Sequence, residues 1–131
     1  MRGGTSRGIF FRREWLPLER GSWASIFLGA LGSPDPYGRQ LDGLGGGVSS
    51  LSKIVVVEPS ERPDVDVEYT FGQVSVGSPS VAYRTNCGNL TSAVGPFAID
   101  EGFVLPERSD QATVRLFNVN TQKHIVSRFA L

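Results

Sequence analysis

The stretch Asn86-Cys87-Gly88-Asn89-Leu90-Thr91-Ser92-Ala93-Val94-Gly95-Pro96-Phe97-Ala98-Ile99 sets the only cysteine of the chain where a loop turns into a helix. Leu90, Ala93, Val94, Phe97 and Ala98 recur at the spacing of a helical stripe that faces a core. Asn86 or Asn89 can cap the first turn, and Gly88 lets the backbone turn left-handed or approach a neighbour closely. The N–H groups of that turn lack helical partners and favour an anion beyond Cys87. The partial positive charge of a helix N-terminus also favours thiolate over thiol. Cys87 is therefore either a buried structural residue, the common fate of a free cysteine, or an acid–base group at the mouth of a carboxylate site.

A second marked position lies upstream. Asp42-Gly43-Leu44-Gly45-Gly46-Gly47 is a loop whose backbone must approach something closely, and hydroxyls follow at Ser49, Ser50 and Ser52. The Gly-x-Gly pattern has no preceding strand and no dinucleotide fingerprint, and Lys53 does not stand in P-loop order. Lys53 opens Ile54-Val55-Val56-Val57, a continuous apolar run that reads as a buried strand. A lysine there is a surface residue at a strand end or a functional one, because a buried ammonium needs a partner.

The remaining chain reads as short elements between turns. Residues 2–8 form a polar glycine loop carrying Thr5 and Ser6, followed by the strand Ile9-Phe10-Phe11. Ser22 can cap a helix that buries Trp23, Ile26, Phe27, Ala30 and Leu31 and ends at Gly32. Val65 to Val76 predicts a long half-buried strand, bulged at Gly72, with Gln73 facing either a site or solvent. Val81 to Arg84 is a short strand leading to the Cys87 helix, which Pro96 kinks and Gly102 closes. Thr113–Val119 and His124–Phe129 form a hairpin. His124, the only histidine, has no ligand set around it in the sequence.

Composition narrows the class. The 131 residues suit one domain with a sizeable core, at 40% hydrophobic and 20% charged residues. Thirteen basic and thirteen acidic residues cancel, which argues against nucleic acid as the main partner. Basic residues do crowd the first twenty positions, a solvated face or a weak lure for anions. One cysteine excludes an internal disulfide and suits a reducing compartment such as the cytoplasm. No stretch has the length of a membrane span. Sixteen glycines and eight prolines favour a turn-rich β or α+β fold. The chain opens on a glycine loop and stops within what reads as a strand, so it is not obviously complete.

Four blocks, in order, carry a resemblance. They are Met1-Arg2-Gly3-Gly4-Thr5-Ser6-Arg7-Gly8-Ile9-Phe10-Phe11; Asp42 to Gly47 with Ser50-Leu51-Ser52-Lys53; Asn86-Cys87-Gly88-Asn89 with Ala93-Val94-Gly95-Pro96-Phe97-Ala98-Ile99; and Phe117-Asn118-Val119-Asn120-Thr121. In these the chain resembles the PrpF family, isomerases of unsaturated di- and tricarboxylic acids with a diaminopimelate-epimerase-like fold. The resemblance implies an α+β fold, a bent antiparallel sheet wrapped around the helix after Cys87. Residues 1–131 would be a single, incomplete N-terminal domain of a two-domain isomerase whose site lies in the cleft between halves.

The implied chemistry is proton transfer without a cofactor, moving or re-orienting a C=C bond in a methylaconitate-, aconitate- or oxalomesaconate-type acid. Such chemistry needs a placed base, a placed acid and donors for developing charge. The resemblance makes Lys53 the principal base and Cys87 its partner or a positioning group. Thr5, Ser6, Ser52, Asn86, Gly88 and Asn89 would hold the substrate carboxylates. Expected partners are that small carboxylate and the other half of the same protein, with a homodimer left open and neither nucleic acid nor membrane involved. The competing reading is a truncated, non-catalytic half-domain that at most binds small carboxylates.

Overall fold

The computed structural model describes residues 1–84 and 86–131. The N-terminal loop is a tight hairpin, β1 (Arg2–Gly3) pairing antiparallel with β2 (Ser6–Arg12). The chain then crosses through α1 (Trp23–Leu31) to β3 (Lys53–Pro59), which turns back into β4 (Val67–Val74). The short β5 (Val81–Ala82) pairs with the end of β4, and α2 (Gly88–Asp100) carries the chain to β6 (Gln111–Asn118) and β7 (Lys123–Ala130). These strands make one sheet in the order β1-β2-β3-β4-β6-β7.

The fold is α+β, but the sheet is mixed where an antiparallel one was expected. β2 pairs parallel with β3, and β4 pairs parallel with β6. Each parallel pair is joined by a long crossover that carries a helix, the connection parallel strands require. Local alternation cannot reveal this, because it reports which face a residue takes and not which strand lies beside it.

Burial follows from that topology. Along β3, Val55 and Val57 join the core under α2, while Ile54 and Val56 join the core under α1. Both faces of the strand are thus covered, which is why it reads as an unbroken apolar run. The α2 stripe enters its core at Leu90, Ala93, Val94, Phe97 and Ala98, with Phe10 and Phe97 rings 5.3 Å apart. α2 touches β1 and β2 at one end of the strand order and β6 and β7 at the other. The sheet must therefore curl around it as a half-barrel. On the outer face α1 buries Trp23, Phe27 and Leu31; Ile26 and Ala30 stay half-buried.

Some expected details differ. The register runs unbroken through Gly72, opposite Ile54, so β4 has no bulge there. Ser22 gives no side-chain cap to α1, because its backbone is already helical and a 3-10 turn over Arg20–Ser22 leads in. The α2 N-cap is Cys87, and neither asparagine caps it. Pro96 lies inside α2 without ending it. Among the described residues no helix is long and apolar enough to cross a membrane.

Candidate active site

Strand parity brings three of the marked residues together. Lys53 has the parity of Val55 and Val57, and Ser6 that of Phe10, so both side chains leave the sheet on the α2 face. The N-terminus of α2 sits over that same end of β2 and β3. Lys53 Nζ donates to Cys87 Sγ at 3.4 Å, and the Ser6 hydroxyl lies 3.6 Å from the same sulfur. The lysine stem is half-buried, and its ammonium rests 5.4 Å from the centroid of the Phe71 ring.

Burial of Cys87, the largest single influence, pushes its thiol up. The Leu90 backbone N–H, the Ser6 hydroxyl and the Lys53 ammonium pull the other way and together prevail, so the thiol lies below its ordinary value. The arrangement is a thiolate-favouring sulfur and an ammonium in contact, a pair that can hold or exchange one proton.

The hairpin in front of the pair is fitted to α2. A Cβ on Gly3 would fall 2.0 Å from the Asn89 carbonyl oxygen, so only glycine permits this approach. Asn89 in turn donates through Nδ2 to the Thr5 hydroxyl at 3.0 Å. Thr5, Asn86, Gly88 and Asn89 are exposed around the start of α2, where first-turn N–H groups face outward. Ser6 is only 2% exposed, so its hydroxyl serves the sulfur before anything outside.

Ser52 does not reach this place. Its side chain is fully buried, donating to the Val74 carbonyl at 2.8 Å and accepting from Gln40 Nε2 at 2.9 Å. Strand alternation explains it: neighbours of Lys53 in sequence cannot share its face. The expected substrate contact at Ser52 is therefore replaced by a structural one. The glycine loop closely approaches its own chain. Gln40, 1% exposed, donates to Ser33 and Ser52 and accepts the Gly47 N–H at 2.8 Å. A Cβ on Gly45 would lie 2.2 Å from that Gln40 amide oxygen.

Sequence reasoning left Gln73 open between a site and solvent and gave Asn120 no role, and the structure makes both amides hold this geometry. Gln73, opposite Lys53 in the register, donates to the Ser49 and Ser52 carbonyls at 3.0 and 2.9 Å and ties down the approach to Lys53. Between the stretches where β4 pairs with β6 and with β5, Asn120 substitutes for a strand. Its amide accepts the Phe71 N–H and donates to the Phe71 carbonyl, each at 2.7 Å, and it also bonds the Tyr83 carbonyl. Such residues carry no local pattern, since each bonds backbone distant in sequence. Concavities of about 350 to 580 Å³ lie elsewhere on the described surface, and neither Lys53 nor Cys87 lines them.

Comparison with known proteins shows what the chain is similar to. The chain is 47% identical to 2-methyl-aconitate isomerase of Cupriavidus necator, over 96% of the chain and 34% of that protein. It is 46% identical to (4E)-oxalomesaconate Delta-isomerase of Novosphingobium sp. (strain KA1), over 92% of the chain and 33% of that protein. The crystal structure of methylitaconate-delta-isomerase superposes with a TM-score of 0.92 at 42% identity, covering 99% of this chain and 33% of that one. The chain thus spans about a third of the length of the curated relatives it matches. The model of the family described as PrpF protein matches residues 1–130, and the chain belongs to that family.

Proposed function

We propose that this chain supplies the proton-transfer pair of an isomerase or tautomerase that moves a C=C bond in an unsaturated di- or tricarboxylic acid. The observation that carries the reading is the contact of Lys53 Nζ with Cys87 Sγ, in a family whose named relatives are isomerases. The sequence put Lys53 first as base; the contact favours a division of labour. Cys87, as thiolate, takes the proton from the carbon beside a carboxylate. The electron pair spreads over that carboxylate and the double bond, and the Lys53 ammonium offsets the new charge and returns a proton at the far allylic carbon. The Cys87 S–H then passes its proton to the neutral Lys53 amine across the same contact, and the pair is restored. Thr5, Asn89 and the exposed N–H groups of Gly88 and Asn89 hold the carboxylates.

This chemistry gains from exclusion of water. The pair lines none of these concavities, which supports a site closed by a further region, as in a two-halved diaminopimelate-epimerase-like protein with residues 1–131 as its N-terminal domain. A cytoplasmic setting keeps the single thiol reduced. The second reading, a half-domain that binds small carboxylates without turnover, draws on the chain spanning only a third of its relatives.

Proton NMR in deuterated water on aconitate-, methylaconitate- and oxalomesaconate-type acids tests both. The complete protein should incorporate deuterium at the allylic carbons, and residues 1–131 alone should not. Absence of exchange in the complete protein with every acid of this class would overturn the proposal.

A further inference from the structure

Cys87 heads α2 with extended backbone, φ −113° and ψ 105°, and with no side-chain cap of its own. Behind it lies a buried polar chain that the acid–base chemistry does not use. Asn118, with no exposed surface, accepts the Thr121 backbone N–H through Oδ1 at 3.1 Å. That bond fixes which way its amide faces, so Nδ2 is the atom turned to the Tyr69 hydroxyl, at 3.0 Å. Tyr69 is 2% exposed, and with Asn118 as donor its own proton is free for Thr91 Oγ1 at 3.0 Å. Asn86 Oδ1, at 3.5 Å, is the poorer acceptor for it. Thr91 then gives its single proton to the Cys87 carbonyl at 2.9 Å, nearer than Asn86 Oδ1 at 3.3 Å. Every proton in the chain points toward the Cys87 turn.

We propose that Tyr69 is a positioning residue for Cys87: the directed chain Asn118–Tyr69–Thr91 holds the N-cap turn that aims Sγ at Lys53 and Ser6. This direction is the favoured one, because reversing the Tyr69–Thr91 link would leave the buried Tyr69 hydroxyl only the longer contact to Asn86 Oδ1 and would remove the Thr91 hydroxyl from the Cys87 carbonyl. Lys53 from β3, Ser6 from β2 and the Leu90 N–H of α2 face the sulfur. Tyr69 from β4 touches none of the reacting atoms and acts through the turn.

The test is the pH dependence of iodoacetamide labelling of Cys87 in the folded chain. Tyr69→Phe keeps the ring and removes the hydroxyl; Thr91→Val removes the next link, and Thr91→Ser retains it. The first two should raise the labelling midpoint by about half a pH unit, roughly a threefold slower reaction at neutral pH, while Thr91→Ser should match the parent. Val114→Ala loosens the same core without touching the chain and should leave the midpoint in place. Parent-like midpoints in Tyr69→Phe and Thr91→Val would overturn the proposal. So would an equal displacement in Val114→Ala, since general loosening would then suffice. The proposal rests on the acid–base role of Cys87 for its purpose, but its readout is the thiol and not turnover. Lack of isomerisation would remove the proposed function and leave the positioning chain standing.

Discussion

Two crossovers build the sheet, β2–α1–β3 and β4–α2–β6, and each contributes one member of the candidate pair on the same face. The first delivers Lys53 as the opening residue of a strand, paired with Gly8 on one side and Gln73 on the other. The second delivers Cys87 at a helix N-cap, where side chains do the holding: Tyr69, Thr91 and Asn118 behind it, Ser6 and Lys53 in front. Backbone register fixes a position firmly, because slipping β3 by one residue would swap the side chains of its two cores and shift its pairing with both β2 and β4. A helix terminus has no such lock and depends on individual hydrogen bonds. One partner of the proposed proton-transfer pair is thus set by topology and the other by a tunable polar network.

The largest test of that contrast removes the topologically fixed partner. Lys53→Ala in the complete protein should cost activity on the order of a thousandfold, the usual scale of a lost acid–base group, with circular dichroism unchanged. Near-parent turnover on the candidate acids would reduce Lys53 to a strand-end residue. Next comes the clamp beneath it. Gln40→Leu leaves the Gly47 N–H and two hydroxyls without their partner, and chemical denaturation should show a loss of about 2 kcal/mol. The Cys87 labelling midpoint should stay in place, since Lys53 is held by β3 pairing; a moved midpoint would show that the glycine loop positions the lysine after all.

A third change reads the tunable side. Lys53→Met removes the ammonium facing the sulfur and should raise the labelling midpoint by roughly one pH unit, from a parent value that this ammonium helps to hold below the ordinary one. An unchanged midpoint would assign the thiol's acidity to the α2 N-terminus and Ser6 alone. The smallest effect concerns the mouth of the second crossover. The Arg115 side chain bonds Asp66 at 2.9 Å and holds that carboxyl below its usual value, helped by the Arg115 backbone N–H. A lowered carboxyl pKa contributes stability above the unfolded-state value and loses it as pH falls through the folded-state value. Asp66→Asn should therefore lower the urea midpoint slightly at neutral pH, and the two curves should converge below about pH 4. Water screens this exposed pair, so high salt should shrink the difference.

Much of this molecule was legible residue by residue. Leu90 to Ala98 announced a buried helix face, Ile54 to Val57 a covered strand, and Thr113 to Phe129 a hairpin, because 3.6-residue and two-residue periods are imposed by local geometry. Lys53 and Cys87 were marked by chemistry out of place: a cation opening an apolar run, and a lone thiol at a helix start. Ser52 was misread for the opposite reason. A serine beside a glycine loop looks like a ligand until strand parity turns it away from Lys53 and into the grasp of Gln40.

The sequence by itself determined the element types, the apolar faces and the family, and it marked Lys53 and Cys87 as candidates, since each is written in neighbours a few positions apart. The tertiary structure decided the parallel pairing of β2 with β3 and β4 with β6, and the 3.4 Å between lysine and thiol. It also decided the burial of Ser52 and the polar chain from Asn118 to the Cys87 turn. Those depend on partners far apart in the chain, Lys53 with Cys87 and Tyr69 with Asn118. Hydrogen-bond direction and strand order are properties of such pairs, and no single stretch contains both members.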